Sequence, residues 1–291
     1  MLLGYITNGL ANVKATEAID LLHSLGYRGV GLTLDHGLLN PFDADFAAQL
    51  DRTADRLQQL GMKSAIETGA RFLLDPAVKH EPTLVSADPA GRARRVDFLC
   101  RAVDAAAALH SNCVSFWSGT VRDGAGDREA MDRLVDGLFA VIDYAATRNV
   151  PLAFEPEPGM FIDTMDRFAD LLQAIHQRGG DPDRLKLTID VGHLHCQGEL
   201  PLADKLREWA DCLIHVHLED MRQGVHEHLM FGEGEIDFPP VIAALEEIHF
   251  SGIIGVELSR HAHIGPQAAR QAYNFLRPLC DAAEARGRSS R

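Results

Sequence analysis

Apolar and polar positions along the chain fall into two kinds of segment that take turns. Short β-type runs rich in Val, Ile, Leu and Phe recur at Leu2–Thr7, Gly29–Asp35, Lys63–Thr68, Cys113–Ser118, Pro151–Glu157, Leu185–Val191, Leu213–Glu219 and Ile253–Ser259. The segments between them, and the tail after the last, carry helical periodicity or good helix formers, as over Ala44–Leu60, Arg92–Leu109 and Arg128–Arg148. In T-E-A-I-D-L-L-H-S-L-G, Thr16 reads as an N-cap and Gly26 as the C-terminal stop. Strands alternating with helices in this way predict an α/β chain folded as a single (β/α)8 TIM barrel over residues 1–291. An open doubly wound sheet is the alternative, but no G-x-G-x-x-G follows any strand. No composition shift or linker marks a domain boundary.

The later strands carry a finer pattern of period two. Leu185, Leu187, Ile189 and Val191 share one face, and Lys186, Thr188 and Asp190 the other. Ile214, Val216 and Leu218 oppose His215, His217 and Glu219; Ile254, Val256 and Leu258 oppose Gly255 and Glu257; Leu152 and Phe154 oppose Ala153, Glu155 and Glu157. In a barrel the apolar set faces the helices and the polar set faces inward. The inward polar residues lie near the C-terminal ends of their strands, where barrel enzymes place their chemistry. Glu155, Asp190, His217 and Glu257 therefore converge on one rim. One imidazole and three carboxylates make an oxygen-rich donor set suited to one divalent ion, Mn²⁺, Mg²⁺, Co²⁺ or Zn²⁺. Like charges converging inside a barrel are costly without a cation.

Composition narrows the partners. With 42 acidic and 28 basic side chains the net charge is −14, which repels phosphate backbones and anionic membrane surfaces. No nucleic-acid or membrane partner is expected. At 46% hydrophobic and 24% charged, the chain has the composition of a globular protein with ample core. Its five scattered cysteines read as reduced thiols, the N-terminus lacks a basic signal-peptide region, and no apolar run reaches the ~18 residues of a membrane span. The expected location is cytoplasmic. The oligomeric state, a homo-oligomer included, is left open.

The segments L-A-F-E-P-E-P-G (152–159), I-D-V-G-H (189–193), H-V-H-L-E-D (215–220), H-L-M-F-G-E-G-E-I-D-F (228–238) and G-V-E-L-S (255–259) together resemble the xylose isomerase-like barrels. That superfamily holds sugar isomerases, ketose 3-epimerases, hydroxypyruvate isomerase and endonuclease IV. The resemblance implies that Glu155, Asp190, His217 and Glu257 ligate the metal, that His193 matches a histidine binding substrate oxygen or, in the nuclease, a further zinc, and that His228 matches one serving the nuclease's zinc cluster; His193 and His228 are both expected to face the pocket and contact substrate oxygens. It also leaves room for a second metal near His193, His226 and His228. Where the nuclease has histidines on its third and fourth strands this chain has Glu67 and Trp117, so the three-zinc phosphodiesterase site is incomplete.

Further candidates each carry a plainer alternative. Glu157 is a substrate contact or a solvated rim residue; Trp117 stacks on a sugar ring or simply packs. Arg222 and Arg260 hold a substrate anion or form surface ion pairs. His215 reads as a packed core histidine, and His261 and His263 as loop residues. The long segment Ala70–Gly91 is a lid or a surface loop. The implied activity is isomerisation or epimerisation of a small sugar, ketose or keto-cyclitol through a cis-enediolate, with Glu155 and Glu257 moving the proton. A metal bridging two vicinal oxygens would acidify the C–H between them. The alternatives are a cyclitol dehydratase, an endonuclease IV-like phosphodiesterase and a non-catalytic sugar- or metal-binding protein.

Overall fold

A computed structural model describes residues 1–289. The strands are β1 (Leu2–Ile6), β2 (Gly29–Thr33), β3 (Lys63–Glu67), β4 (Val114–Phe116), β5 (Leu152–Phe154), β6 (Leu185–Asp190), β7 (Leu213–Leu218), β8 (Asp220–Arg222), β9 (Val225–Leu229) and β10 (Ile253–Val256). Strands β1 to β7 and β10 close into one parallel barrel, β10 pairing with both β7 and β1, while β8 and β9 form a separate antiparallel hairpin. The helices are α1 (Ala15–Leu25), α2 (Phe46–Leu60), α3 (Pro89–Leu109), α4 (Asp127–Arg148), α5 (Met165–Gln177), α6 (Val191–Gln197), α7 (Leu202–Glu208), α8 (Phe238–Glu247) and α9 (Gly265–Ser289). This is the (β/α)8 barrel that the alternation of segments predicts.

The outer faces of the strands supply the main core. Leu187, Ile189, Val216, Ile254 and Val256 are buried there with the inner stripes of the helices, such as Phe98, Leu138 and Phe168. Each fully buried side chain of this kind contributes roughly 1.5–3 kcal/mol. Inside the barrel the fit is tighter. A Cβ on Gly31 would lie 2.3 Å from Ile6 Cδ1, and one on Gly255 would lie 2.6 Å from it. Ile6 therefore fills the space that two neighbouring strands leave by carrying no side chain. Above it the interior turns polar, with Ser115 Oγ 2.9 Å from Thr188 Oγ1 in full burial.

Local details depart from the sequence expectations. Helix α1 begins at Ala15, and the N-cap is Lys14 with no side-chain capping bond, so Thr16 lies in the first turn instead of capping it. Burial of Ala15 and Ala18 sets that start. Gly26 does end the helix, in a left-handed conformation at φ 108°. Helix α3 begins at Pro89, ahead of Arg92, because the Asp88 carboxylate accepts from Ala90 N and Gly91 N. The hairpin β8–β9 was not expected: V-H-E-H-L is short, polar and only partly covered. Among the described residues no helix is long and apolar enough to cross a membrane.

Candidate metal centre

Register brings the candidate donors level. Asp190 pairs with His217 across β6 and β7, and Gly255, two residues before Glu257, pairs with His217 across β10 and β7. Strands β5 and β10 end at Phe154 and Val256, so Glu155 and Glu257 each open the loop that follows. Ligating atoms of Glu155, Asp190, His217 and Glu257 all lie within 4.8 Å of one another. His217 Nδ1 stands 3.1 Å from Glu155 Oε1, 3.0 Å from Glu257 Oε2 and 4.0 Å from Asp190 Oδ2.

Supporting contacts orient these groups. The far ring nitrogen of His217, Nε2, is 3.4 Å from Glu67 Oε1, which also lies 2.8 Å from His215 Nε2. A carboxylate behind a histidine fixes which nitrogen faces forward, the usual backing of a metal-binding imidazole. His215 is thus a buried, hydrogen-bonded core histidine, as its position on β7 suggested. Asp190 Oδ1 accepts from the His193 amide at 2.9 Å, while its Oδ2 is buried with no hydrogen-bond partner. Asn8, in the short 3-10 turn after β1, donates from Nδ2 to Glu257 Oε1 at 2.8 Å.

Electrostatics mark the same spot. Burial, joined by the charges of Glu257 and Asp190, pushes the Glu155 carboxyl up to about 8 despite its contact with His217. Burial would lower His217, but Glu155, Glu67 and Glu257 outweigh it and raise the imidazole well above its ordinary value. Burial would raise Glu67, yet His217 and His215 hold it down at about 2. The donor chemistry, the unpartnered Asp190 Oδ2 and the forward-facing His217 Nδ1 all fit a divalent ion.

The hairpin brings two histidines, His226 and His228, to His193 on α6. Asp220 anchors it: Oδ1 accepts from Met221 N and Ile236 N, and Oδ2 from Gly232 N and Gly234 N. The downstream G-E-G-E-I segment is thereby wrapped around one buried carboxylate. This holds His226 and His228 over His193, with His193 Nε2 3.1 Å from His226 Nε2. The three rings present nitrogens within 4.8 Å of one another.

A cavity of about 130 Å³ opens over the centre, lined by Glu155, Glu257, His193, His228, Glu157 and Trp117 among others. Trp117 both packs and faces this space. Beneath it the guanidinium of Arg95, fully buried, lies 4.3 Å from the indole ring. Glu157 lines the cavity instead of standing in solvent; burial and then Glu155 raise its carboxyl well above the ordinary range. Arg222 lies elsewhere: it is exposed, outside the cavity lining, and donates to the Glu233 carbonyl in the loop after β9. Arg260 pairs with Glu227 at 2.9 Å. His261 and His263 sit in the 3-10 turn Ser259–Ile264. The segment after β3 sends Arg71, Lys79 and His80 to the cavity mouth, and Arg71 is tied to Asp35 at 3.0 Å.

Sequence reasoning missed Asn8, Arg95 and the part played by Glu67. Asn8 follows an apolar strand whose end offered no metal-type residue, although any strand end of a barrel faces the same rim.

A family model described as xylose isomerase-like TIM barrel matches residues 19–279. The chain belongs to this family. Inosose dehydratase from Geobacillus thermodenitrificans is 29% identical over 171 residues, 52% of this chain and 55% of that protein. L-ribulose-5-phosphate 3-epimerase UlaE from Salmonella paratyphi C is 27% identical over 255 residues, 87% of this chain and 84% of that one. Among solved structures, the IOLI protein with a bound zinc atom superposes with a TM-score of 0.74 at 18% identity, covering 97% of this chain and 99% of that one. The chain thus spans about half the length of the dehydratase and most of the epimerase. Dehydratases and epimerases stand among its homologues, which places it in a family of enzymes.

Proposed function

We propose that the chain is a divalent-metal-dependent isomerase or epimerase of a small sugar, ketose or keto-cyclitol, working through a cis-enediolate at the C-terminal ends of the barrel strands. One observation carries the reading: Glu155, His217 and Glu257 line a cavity of about 130 Å³, and Asp190 stands with them, the ligating atoms of all four within 4.8 Å of one another. Membership in a family with epimerase relatives agrees with it.

Those four residues would hold the ion, which when bound supplies Lewis acidity to a carbonyl and lowers the pKa of the neighbouring C–H. The rest is the work of the chain. Glu155 and Glu257 approach from β5 and β10, which are separated by β6 and β7 around the barrel. One takes the proton and the other returns it, on the opposite face for epimerisation or on the adjacent carbon for isomerisation. Asn8 holds Glu257 by Oε1, leaving Oε2 toward the centre. His193 and His228 serve substrate oxygens, and Glu157 offers a further hydrogen bond from the cavity wall. Trp117, held over Arg95, gives an apolar face for the C–H side of a ring.

A second reading is a cyclitol dehydratase. The same enediolate expels a β-hydroxyl when one is present, and the inosose dehydratase relative favours keeping it. The phosphodiesterase reading is weaker, since Glu67 is engaged by two histidines and Trp117 replaces a donor.

Incubation with a panel of ketoses and keto-cyclitols in D₂O, followed by NMR, separates these chemistries. Deuterium gain at the carbon beside the carbonyl, with epimer or isomer formation, is the expected result with metal-loaded protein. Loss of water would select the dehydratase. No exchange with any panel member, in protein shown to carry metal at the four donors, would overturn both.

A further inference from the structure

One wall of the cavity is cationic, opposite in sign to the carboxylates of the metal centre, and the scheme above gives it nothing to do. Arg71, Lys79 and His80 line it from the segment after β3, where the His80 amide donates to the Arg71 carbonyl at 2.6 Å and turns the segment back on itself. Lys79 is exposed, and among the described residues no acid comes within ion-pair reach of it; Glu157 senses its charge without meeting it. Arg71 meets Asp35 through Nε, which leaves both terminal nitrogens of its fork open among the described residues. The acids of the segment 70–91 are all committed elsewhere. Asp75 accepts from Ala77 N and Val78 N, Asp88 from Ala90 N and Gly91 N, and Glu81 accepts from Ser86 Oγ at 2.6 Å and pairs with Arg122 at 2.9 Å. A chain of net charge −14 has acids to spare, yet it sets none against Lys79.

Arg95 adds charge to the same wall from behind. Fully buried against Trp117, it donates from Nη2 to the Thr68 carbonyl at 3.3 Å, while its Nε and Nη1 have no partner. Burial pushes its guanidinium down to about 9, still charged at neutral pH. His80 lies against the same indole with ring centres 5.1 Å apart, and it registers the field: burial, then Lys79, Arg95, Arg71 and Arg122, lower it to about 3. Arg222 and Arg260 do not line this cavity.

We infer that the substrate carries an anionic group, a phosphate or a carboxylate, at the end remote from its reacting carbonyl, and that Lys79 and the open fork of Arg71 bind that group at the cavity mouth. The inference deepens the isomerase reading and rests on it for where the carbonyl lies. Charge-assisted hydrogen bonds from an ammonium and a guanidinium are the strong ones, and the planar fork matches two oxygens of one anion. The carboxylates of the metal centre repel the same group, so the two walls together fix which end of the substrate enters first.

The probes are a pentulose and a hexulose, each offered to metal-loaded protein as the neutral ketose, its terminal phosphate and its terminal carboxylate. Affinity is read by calorimetry, and turnover separately by NMR. The charged forms are expected to bind about tenfold or more tighter than the neutral ones, an advantage that shrinks as salt is raised. Lys79→Met removes the charge of an exposed side chain and should cancel most of that advantage, raising KM far more than it lowers kcat; Lys79→Arg should restore it. A greater advantage for the phosphate or for the carboxylate says which anion the wall fits. Equal affinity across the forms, absence of binding included, overturns the inference, as does an advantage that survives Lys79→Met. Absence of turnover with every form counts instead against the isomerase reading, because the comparison of affinities does not depend on it.

Discussion

Glu155→Gln and Glu257→Gln are each expected to lower turnover by at least about a hundredfold while leaving most of the metal in place. Glutamine keeps a ligating oxygen and the side-chain volume but cannot accept a proton. General acid–base work is worth ~10²–10⁴ in rate, so its loss is severe even with substrate still bound. At position 257 the amide oxygen faces the centre only if Asn8 turns its Oδ1 to accept from the new NH2, so bound metal must be measured in that variant. Turnover should be measured beside bound metal, which separates lost chemistry from a lost ligand. Near-normal turnover in either variant with metal present would make that glutamate a ligand only and end the two-base scheme.

Metal uptake should strengthen steeply as pH rises from about 6 to about 8, by on the order of 10²–10⁴ in affinity. The sign follows from the raised pKa values of two donors. Burial and the neighbouring carboxylates raise Glu155 to about 8, and the surrounding carboxylates raise His217 against the effect of burial. Ligation requires Glu155 ionised and His217 neutral at Nδ1, so binding must expel these protons. Below their pKa values each displaced proton weakens binding by about tenfold per pH unit. Above about pH 8 the contribution of Glu155 levels off. Titration with Mn²⁺ at several pH values, with proton release followed in lightly buffered solution, checks both slope and count. An affinity independent of pH over this range would show that the centre does not hold the protons its geometry demands.

The barrel was legible in the sequence because its outer strand faces obey a strict period. Leu187, Ile189, Val216, Ile254 and Val256 alternate with residues pointing inward, and burial of the first set fixed the register that brings the second together. Three of the four metal-type donors are acids at or just past the ends of buried strands, a conflict that only a shared purpose resolves. What escaped notice lacked periodicity or chemistry of its own. The hairpin reads as a polar loop until Asp220 is seen to collect, besides the amide of its neighbour Met221, those of Gly232, Gly234 and Ile236. Arg95 sits on a helix where its spacing suggests solvent, yet it is buried under Trp117. Asn8 becomes visible only when barrel closure sets β1 beside β10. Arg222 shows the converse: its position in the motif suggested substrate, but the turn of the hairpin directs it to the Glu233 carbonyl.

The most direct test of the metal centre is anomalous diffraction from crystals soaked in Mn²⁺ or Zn²⁺. The account predicts a strong peak bounded by Glu155, Asp190, His217 Nδ1 and Glu257, each at about 2.0–2.6 Å. A peak elsewhere, or these four side chains more than about 3 Å from any ion after soaking, would contradict it.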